Sequence, residues 1–201
     1  MKNHSSTATH AAKVARGQVR IIGGQWRGRK LHFNEVAGLR PTGDRIRETL
    51  FNWLAPWIDG ARCLDLFAGS GALGIEALSR GAAEVTLIET HPQAAENLRE
   101  NGARLKADDA RVIQTNTLIW LANSSPDQPF DIVFLDPPFS SDLLQPCCEL
   151  LQKPGLLASG SLIYLEADRY HPLPETSPTW ELLREKTAGL VNQFEQMSSR
   201  V

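Results

Sequence analysis

Two short turns hold the reactive side chains of this sequence. One is Asp136-Pro137-Pro138-Phe139, which closes the apolar run 132–135. The other lies in Leu64-Asp65-Leu66-Phe67-Ala68-Gly69-Ser70-Gly71, where Gly69, Gly71 and Gly74 follow a G-x-G-x-x-G spacing. An exocyclic amine on a nucleobase is a poor nucleophile, because its lone pair is delocalised into the ring. A carboxylate at Asp136 and the Pro137 carbonyl can accept hydrogen bonds from its N–H groups and steer that lone pair out of the ring plane. Pro137 and Pro138 keep both acceptors aimed, and Phe139 offers a ring face on which a base can stack. A proline-terminated strand with a capping aspartate is the plainer alternative and uses the same residues without chemistry.

Glycines let a backbone pass close to a ligand, and a helix starting behind them points free N–H groups at it. That much suits NAD as well as any other nucleoside cofactor. Asp65 separates the candidates. At the carboxyl edge of a sheet its carboxylate can hold a cationic amino-acid head group, and it would repel a pyrophosphate. Glu89 ends Thr86-Leu87-Ile88-Glu89 and can accept hydrogen bonds from both ribose hydroxyls. Asn116 and Thr117 are placed to touch an adenine edge, although Asn after a strand commonly caps a helix. With Phe67, Ala68, Gly69 and Gly71 these residues outline a cofactor site, and Asp136 adds a substrate amine. The set implies S-adenosylmethionine and a methyl group moved to a nucleobase nitrogen. An unperturbed aspartate, with a pKa of about 4, acts there as an acceptor and need not remove a proton before attack.

A regular frame must hold the turns. Strands are predicted at 62–67, 84–89, 111–114, 132–135 and 161–166, with helices at 72–79, 92–105, 118–122 and 143–151 between them. The strand cores are continuous apolar runs, as in a parallel sheet covered on both faces. The expected fold is α/β, a doubly wound, mostly parallel, Rossmann-like sheet. Two further β-like stretches at 180–186 and 190–194 are expected to form a hairpin on its edge. Ahead of the frame, 19–31 reads as a hairpin turning at Gly23-Gly24. A helix follows, with Ile46, Leu50, Phe51, Trp53 and Leu54 as its apolar stripe and Asp44 or Thr42 as its cap. Residues 1–17, without an acid or an apolar period, read as a disordered basic arm.

Charge divides the 201 residues unevenly. Residues 1–54 hold ten Lys and Arg against three Asp and Glu, a balance of +7, whereas the remainder sums to −9. A basic segment on an acidic body suits a polyanionic partner. Arg20, Arg27, Arg29 and Lys30 on the hairpin could grip phosphates, and Arg40, Arg45 and Arg47 fall nearer the predicted cleft mouth. Trp26 could stack or merely pack. The organisation expected is therefore an arm at 1–17, an extension suited to a polyanion at 18–58 and a catalytic domain at 59–201. Cys63, Cys147 and Cys148 lack metal-ligand spacing and read as reduced thiols, so no metal is expected. No run reaches the ~18 apolar residues of a membrane span, and no signal peptide opens the chain. A cytoplasmic protein, acting as a monomer away from membranes, is expected.

With these residues in hand, the chain resembles the RsmD-type 16S ribosomal RNA guanine-N2 methyltransferases of bacteria from about Val19 to Gly189. The resemblance is carried by Arg20-Ile21-Ile22-Gly23-Gly24-Gln25-Trp26-Arg27-Gly28-Arg29, Arg40-Pro41-Thr42, Asp44-Arg45, Arg47-Glu48-Thr49-Leu50-Phe51-Asn52, the stretch Asp65 to Gly74, Ile88-Glu89 and the Asp136 turn. Gly43 stands where the family usually has Thr or another polar residue, and the tail after Gly189 lacks a basic ending. The resemblance implies a seven-strand class I methyltransferase sheet, S-adenosylmethionine as cofactor, and one guanine of 16S rRNA, on an assembled or nearly assembled small ribosomal subunit, as substrate. Its base would have to be unstacked before its amine could reach Asp136. Two other readings compete: an adenine-N6 methyltransferase, which commonly has Asn in place of Asp136, and a non-catalytic RNA-binding assembly factor. An NAD-dependent dehydrogenase lacks a recognisable hydride-transfer arrangement.

Overall fold

The computed structural model describes residues 16–34, 43–138, 141–168, 174–176, 178–188 and 191–198. Seven strands form one sheet: β3 (Arg62–Asp65), β4 (Glu84–Glu89), β5 (Ala110–Gln114), β6 (Phe130–Leu135), β7 (Leu157–Asp168), β8 (Trp180–Ala188) and β9 (Val191–Ser198). Their spatial order is β5-β4-β3-β6-β7-β9-β8. The first five are parallel, and β9 runs antiparallel between β7 and β8. The expected edge hairpin is therefore present. Helices α2 (Gly74–Ser79), α3 (Pro92–Leu105), α4 (Thr117–Asn123) and α5 (Leu144–Leu151) supply the crossovers.

Successive strand residues face opposite sides of a sheet, and both sides are dry here. Cys63, Val85, Leu87, Ile132, Phe134, Leu162 and Tyr164 join one apolar cluster with residues of α2 and α3. Their chain neighbours Leu64, Ile88, Val133, Leu135, Ile163 and Leu165 join a second cluster with α4 and α5. This two-sided burial is why the strands read as continuous apolar runs. Connections leave β3 in both directions, since it pairs with β4 on one side and β6 on the other. Such a switch point opens a crevice at the carboxyl ends of the strands.

Helix α1 (Asp44–Leu54) covers the first face. It buries Leu50, Phe51 and Leu54 together with Arg47, and the Phe51 ring lies 6.1 Å from that of Phe134. Its N-cap is Gly43, without a side-chain cap bond. Asp44, expected as a cap, is instead the first helical residue, where its charge favours the helix dipole. Thr42 lies outside the described residues, as do 1–15 of the expected arm.

Strands β1 (Arg16–Arg20) and β2 (Lys30–Asn34) pair antiparallel, with Arg20 opposite Lys30. The segment between them is longer than a tight turn because it is docked onto α2. Buried Glu76 accepts hydrogen bonds from Ile22 N–H (2.8 Å), Gly23 N–H (2.7 Å) and Arg80 Nε (2.7 Å). Ser79 donates its hydroxyl to the Gly23 carbonyl at 2.6 Å and accepts from Trp26 N–H at 3.0 Å. Gly24 has φ 72, and a Cβ there would collide with the Ser79 carbonyl. Glycine is required on both counts. Val19, Ile21, Leu31 and Phe33 consequently share the core of the sheet.

Candidate active site

Strand β3 delivers Asp65 to the crevice with its side chain turned inward. The residue is 1% exposed, and its carboxylate accepts hydrogen bonds from Gly74 N–H at 3.0 Å and Phe67 N–H at 3.4 Å. The glycine turn is pinned from the neighbouring strand as well. Ala68 N–H donates to the Ile88 carbonyl at 3.0 Å, and Gly69 N–H to Glu89 Oε2 at 2.9 Å. The other oxygen of Glu89 accepts from His91 N–H at 2.7 Å. Gly69 and Gly71 both take positive φ, 50 and 81, which folds the chain back from β3 into α2. Each Glu89 oxygen keeps a second lone pair for a ligand hydroxyl.

Asp136 follows β6 directly, between Asp65 and a carboxyl that the sequence reading did not single out, Glu166. The register sets Asp65 against Phe134, Phe134 against Tyr164 and Leu135 against Leu165. Asp136 and Glu166 are thus level on adjacent strands, about 4.8 Å apart in a sheet, and Asp65 lies on the same face of the third strand, two residues lower. Burial pushes the Asp65 carboxyl up to about 7; the Gly74 N–H offsets part of this, and the Asp136 and Glu89 charges raise it further. Burial, then the Asp136 charge, pushes Glu166 up to about 8, against the lowering effect of the Tyr164 hydroxyl. A lone carboxylate ending the apolar run Leu162-Ile163-Tyr164-Leu165 was the signal available for Glu166.

Several expected contacts are corrected by these positions. Asp65 is buried and its carboxylate holds the Gly74 and Phe67 N–H groups, so it shapes the glycine turn. Thr117, 7% exposed, donates its hydroxyl to the Leu66 carbonyl at 2.6 Å, so it ties α4 to the sheet rather than touching adenine. Asn116 caps α4, its Oδ1 accepting from Ile119 N–H at 3.1 Å. Phe67 is half-buried, Ala68 and Pro137 are buried, and Pro138 is exposed. The Pro138 carbonyl accepts from both N–H and Oγ of Ser141, which closes the turn behind it. Phe139 lies outside the described residues.

The basic residues fall into three groups. Arg47 has no exposed surface; it pairs with Asp44 at 2.7 Å and Glu76 at 3.6 Å and donates to the Arg20 carbonyl at 2.9 Å. It is a buried strut, and its expected phosphate contact is withdrawn. Arg20 and Arg45 are exposed beside the start of α1, with Arg20 paired to Asp44 at 3.2 Å. Because α1 leads into the amino end of β3, its own start lies towards the carboxyl edge and the crevice. Arg27, Arg29 and Lys30 are also exposed, but Arg29 reaches the Arg104 carbonyl, at the far end of α3, at 2.8 Å. That end leads into the amino edge of β5, away from Asp136. Trp26 is half-buried against the core, and Arg40 lies outside the described residues.

A cavity of about 320 Å³ opens among Trp57, Gly60, Asp131, Ile132 and Gly160, also at the amino edge, where open α/β sheets do not bind their ligands. Cys63, Cys147 and Cys148 are free and buried, and burial pushes the last two thiols up to about 12. Among the described residues no group of three His, Cys, Asp or Glu could hold a metal, and no helix is long and apolar enough to cross a membrane.

Four carboxyl groups, Asp65, Glu89, Asp136 and Glu166, gather at the carboxyl edge of the sheet, with Asp65 and Glu166 buried. This donor set fits a nucleoside cofactor that carries positive charge, and it disfavours a pyrophosphate. Sheet order, glycine turn and Asp-Pro-Pro turn together define a class I methyltransferase. A family model described as conserved hypothetical protein 95 matches residues 19–195. Ribosomal RNA small subunit methyltransferase D of Escherichia coli K12 is 55% identical over 175 residues, 87% of each chain. Its Haemophilus influenzae counterpart is 48% identical over 180 residues, 89% of this chain and 93% of the relative. A solved Escherichia coli methyltransferase structure, 50% identical, superposes with a TM-score of 0.83 over 91% of this chain and 99% of its own. The chain belongs to this family, the RsmD-type methyltransferases that its sequence resembles.

Proposed function

We propose that this protein transfers the methyl group of S-adenosylmethionine to the exocyclic N2 of one guanine in 16S rRNA of the small ribosomal subunit. One observation carries the reading: half-buried Asp136 follows β6, the strand beside β3, at the edge of the sheet where the glycine turn leaves β3, close enough for its charge to act on Asp65. The names of the relatives, ribosomal RNA small subunit methyltransferases, support the same substrate. S-Adenosylmethionine supplies an electrophilic sulfonium methyl. Gly69, Gly71 and the half-buried Phe67 would form its floor, and Glu89 would accept from its ribose hydroxyls.

Asp136 accepts a hydrogen bond from the guanine amine and Pro137 offers its carbonyl for the second, which turns the lone pair towards the methyl carbon. With the cofactor bound, the N–C bond would form as the S–C bond breaks, S-adenosylhomocysteine would leave, and the methylated amine would lose its extra proton to water. Positioning is the main contribution, worth about 7–11 kcal/mol where reacting groups are well oriented. Exposed Arg20 and Arg45 would hold phosphates near the target nucleotide, with Arg27, Arg29 and Lys30 engaging RNA further out. On this reading 18–58 is the RNA-binding extension and 59–201 the catalytic part, acting as a cytoplasmic monomer. The test is to incubate the protein with labelled S-adenosylmethionine and either naked 16S rRNA or undermethylated small subunits, then identify the labelled nucleoside by mass spectrometry. N2-methylguanosine is expected. Label in N6-methyladenosine, or in neither RNA, would overturn the assignment.

A further inference from the structure

Glu166 is a buried carboxyl that the chemistry above does not use. It is 3% exposed, and its Oε2 accepts a 2.9 Å hydrogen bond from the Tyr164 hydroxyl, two residues back on the same face of β7. Leu135 pairs with Leu165, so the next residues along the two strands, Asp136 and Glu166, are neighbours. On the other side, on β3, Asp65 is level with Phe134 and so lies two residues short of Asp136, within reach of its charge. On β9, Gln193 stands opposite Glu166 and Glu195 opposite Tyr164 in the register. Helix α1 packs this face with Leu50, Phe51 and Leu54.

Three ionised carboxylates side by side in a dry crevice repel one another strongly. Burial disfavours charge most at Asp65 and Glu166, which leaves the charge on the half-buried Asp136. A neutral carboxylic acid has one O–H donor, and a carboxylate beside it is the acceptor that gives a short, strong bond. We propose that Glu166 is a positioning residue for methyl transfer: it keeps its proton, donates a hydrogen bond to Asp136, and so fixes which Asp136 oxygen faces the substrate amine. The proposal rests on the methyltransferase reading. Burial and the Asp136 charge hold Glu166 up to about 8, so the donor is present at neutral pH. The Tyr164 hydroxyl favours the ionised form and sets how soon the donor is lost. Above that pH a second charge appears beside Asp136 and the hydrogen bond disappears.

The experiment is a pH profile of kcat, with KM for both substrates, from about pH 6 to about pH 9.5, on the wild type, Glu166→Gln, Glu166→Leu and Tyr164→Phe. Guanine methylation by the wild type at neutral pH tests the methyltransferase reading separately, and thermal melting confirms that each variant is folded. Wild-type kcat is expected to fall about tenfold across the alkaline limb. Glu166→Gln keeps a donor at every pH, so its kcat drops less than about tenfold at neutral pH and its alkaline limb vanishes. Glu166→Leu has no donor, and its kcat falls about 30- to 100-fold, as for a misplaced catalytic group, with KM for S-adenosylmethionine within about twofold. Tyr164→Phe moves the alkaline midpoint upward. An unchanged alkaline limb in Glu166→Gln, or wild-type kcat in Glu166→Leu, would overturn the proposal. Should the leucine variant not fold, the other two decide it.

Discussion

Glu76 is the point at which the amino-terminal segment is stapled to the helix behind the glycine turn, and Glu76→Gln should show what that staple is worth. Its carboxylate accepts from two backbone N–H groups and Arg80 Nε, with Arg47 at 3.6 Å. Both Glu76 and Arg47 are fully buried. Glutamine is the same size, so no cavity term enters. It retains one acceptor oxygen, able to serve Gly23 and Arg80, and places an NH2 donor against the Ile22 N–H. A hydrogen bond to a charged group is worth about 1.5–3 kcal/mol, and a buried donor left unmet costs about 1–3 kcal/mol. With Arg47 losing one of its two anionic partners, the total is about 3–5 kcal/mol, the range for breaking a buried pair. Against a stability of about 5–15 kcal/mol the loss is large. At about 2–4 °C per kcal/mol for a chain of this size, the melting temperature should drop by about 10 °C. Thermal and urea unfolding, followed by circular dichroism with an unchanged urea m-value, measures it. A drop below about 3 °C would mean instead that water or a rearranged loop replaces the staple.

Asp136→Ala should abolish transfer while S-adenosylmethionine affinity by calorimetry stays within a few-fold; a large loss of binding would show that the residue serves the cofactor. Arg47→Ala and Arg45→Ala should separate cleanly. The first should destabilise by about 3 kcal/mol, as for an uncompensated buried partner, and the second by less than about 0.5 kcal/mol while weakening RNA binding. Changing Arg27 and Arg29 together to Ala should flatten the salt dependence of RNA affinity by about two units of slope; an unchanged slope would remove them from the interface. Asp65 and Glu166 also predict how stability varies with pH. Their folded pKa values, about 7 and about 8, lie above those of the unfolded chain, so the folded state binds more protons between about pH 4 and about pH 8. Their contribution is fully present on the acid side and lost as pH rises through 7 and 8. Melting temperature should therefore fall across that window, and less steeply in Glu166→Gln; a rise would contradict the burial of these groups.

Much of the frame is legible in sequence because its causes are local. Pro92 starts α3 and the runs at 84–89 and 132–135 are strands whatever lies beside them, so those boundaries match to within two residues. The glycine and Asp-Pro-Pro turns announce themselves through backbone chemistry confined to a few residues. Arg47 was misread for the opposite reason. A basic residue on a helix looks solvated until its partners are known, and Glu76 lies 29 positions away on another element. Thr117 was misread likewise, since its hydroxyl answers a carbonyl 51 residues earlier.

The alternation of strands and helices, the two turns, the cofactor class their residues admit and the family resemblance are all written along the chain. All depend on residue type, short spacing and apolar period. Which of those side chains are free to act depends on tertiary packing. It enclosed Asp65, withdrew Arg47, separated Arg27 and Arg29 from the crevice, and brought Glu166 beside Asp136. The physical reason is common to all four. Burial and partnership set the charge, orientation and reach of a polar group, and both are settled by strand order and register across the sheet, where neighbours in space are remote in the chain.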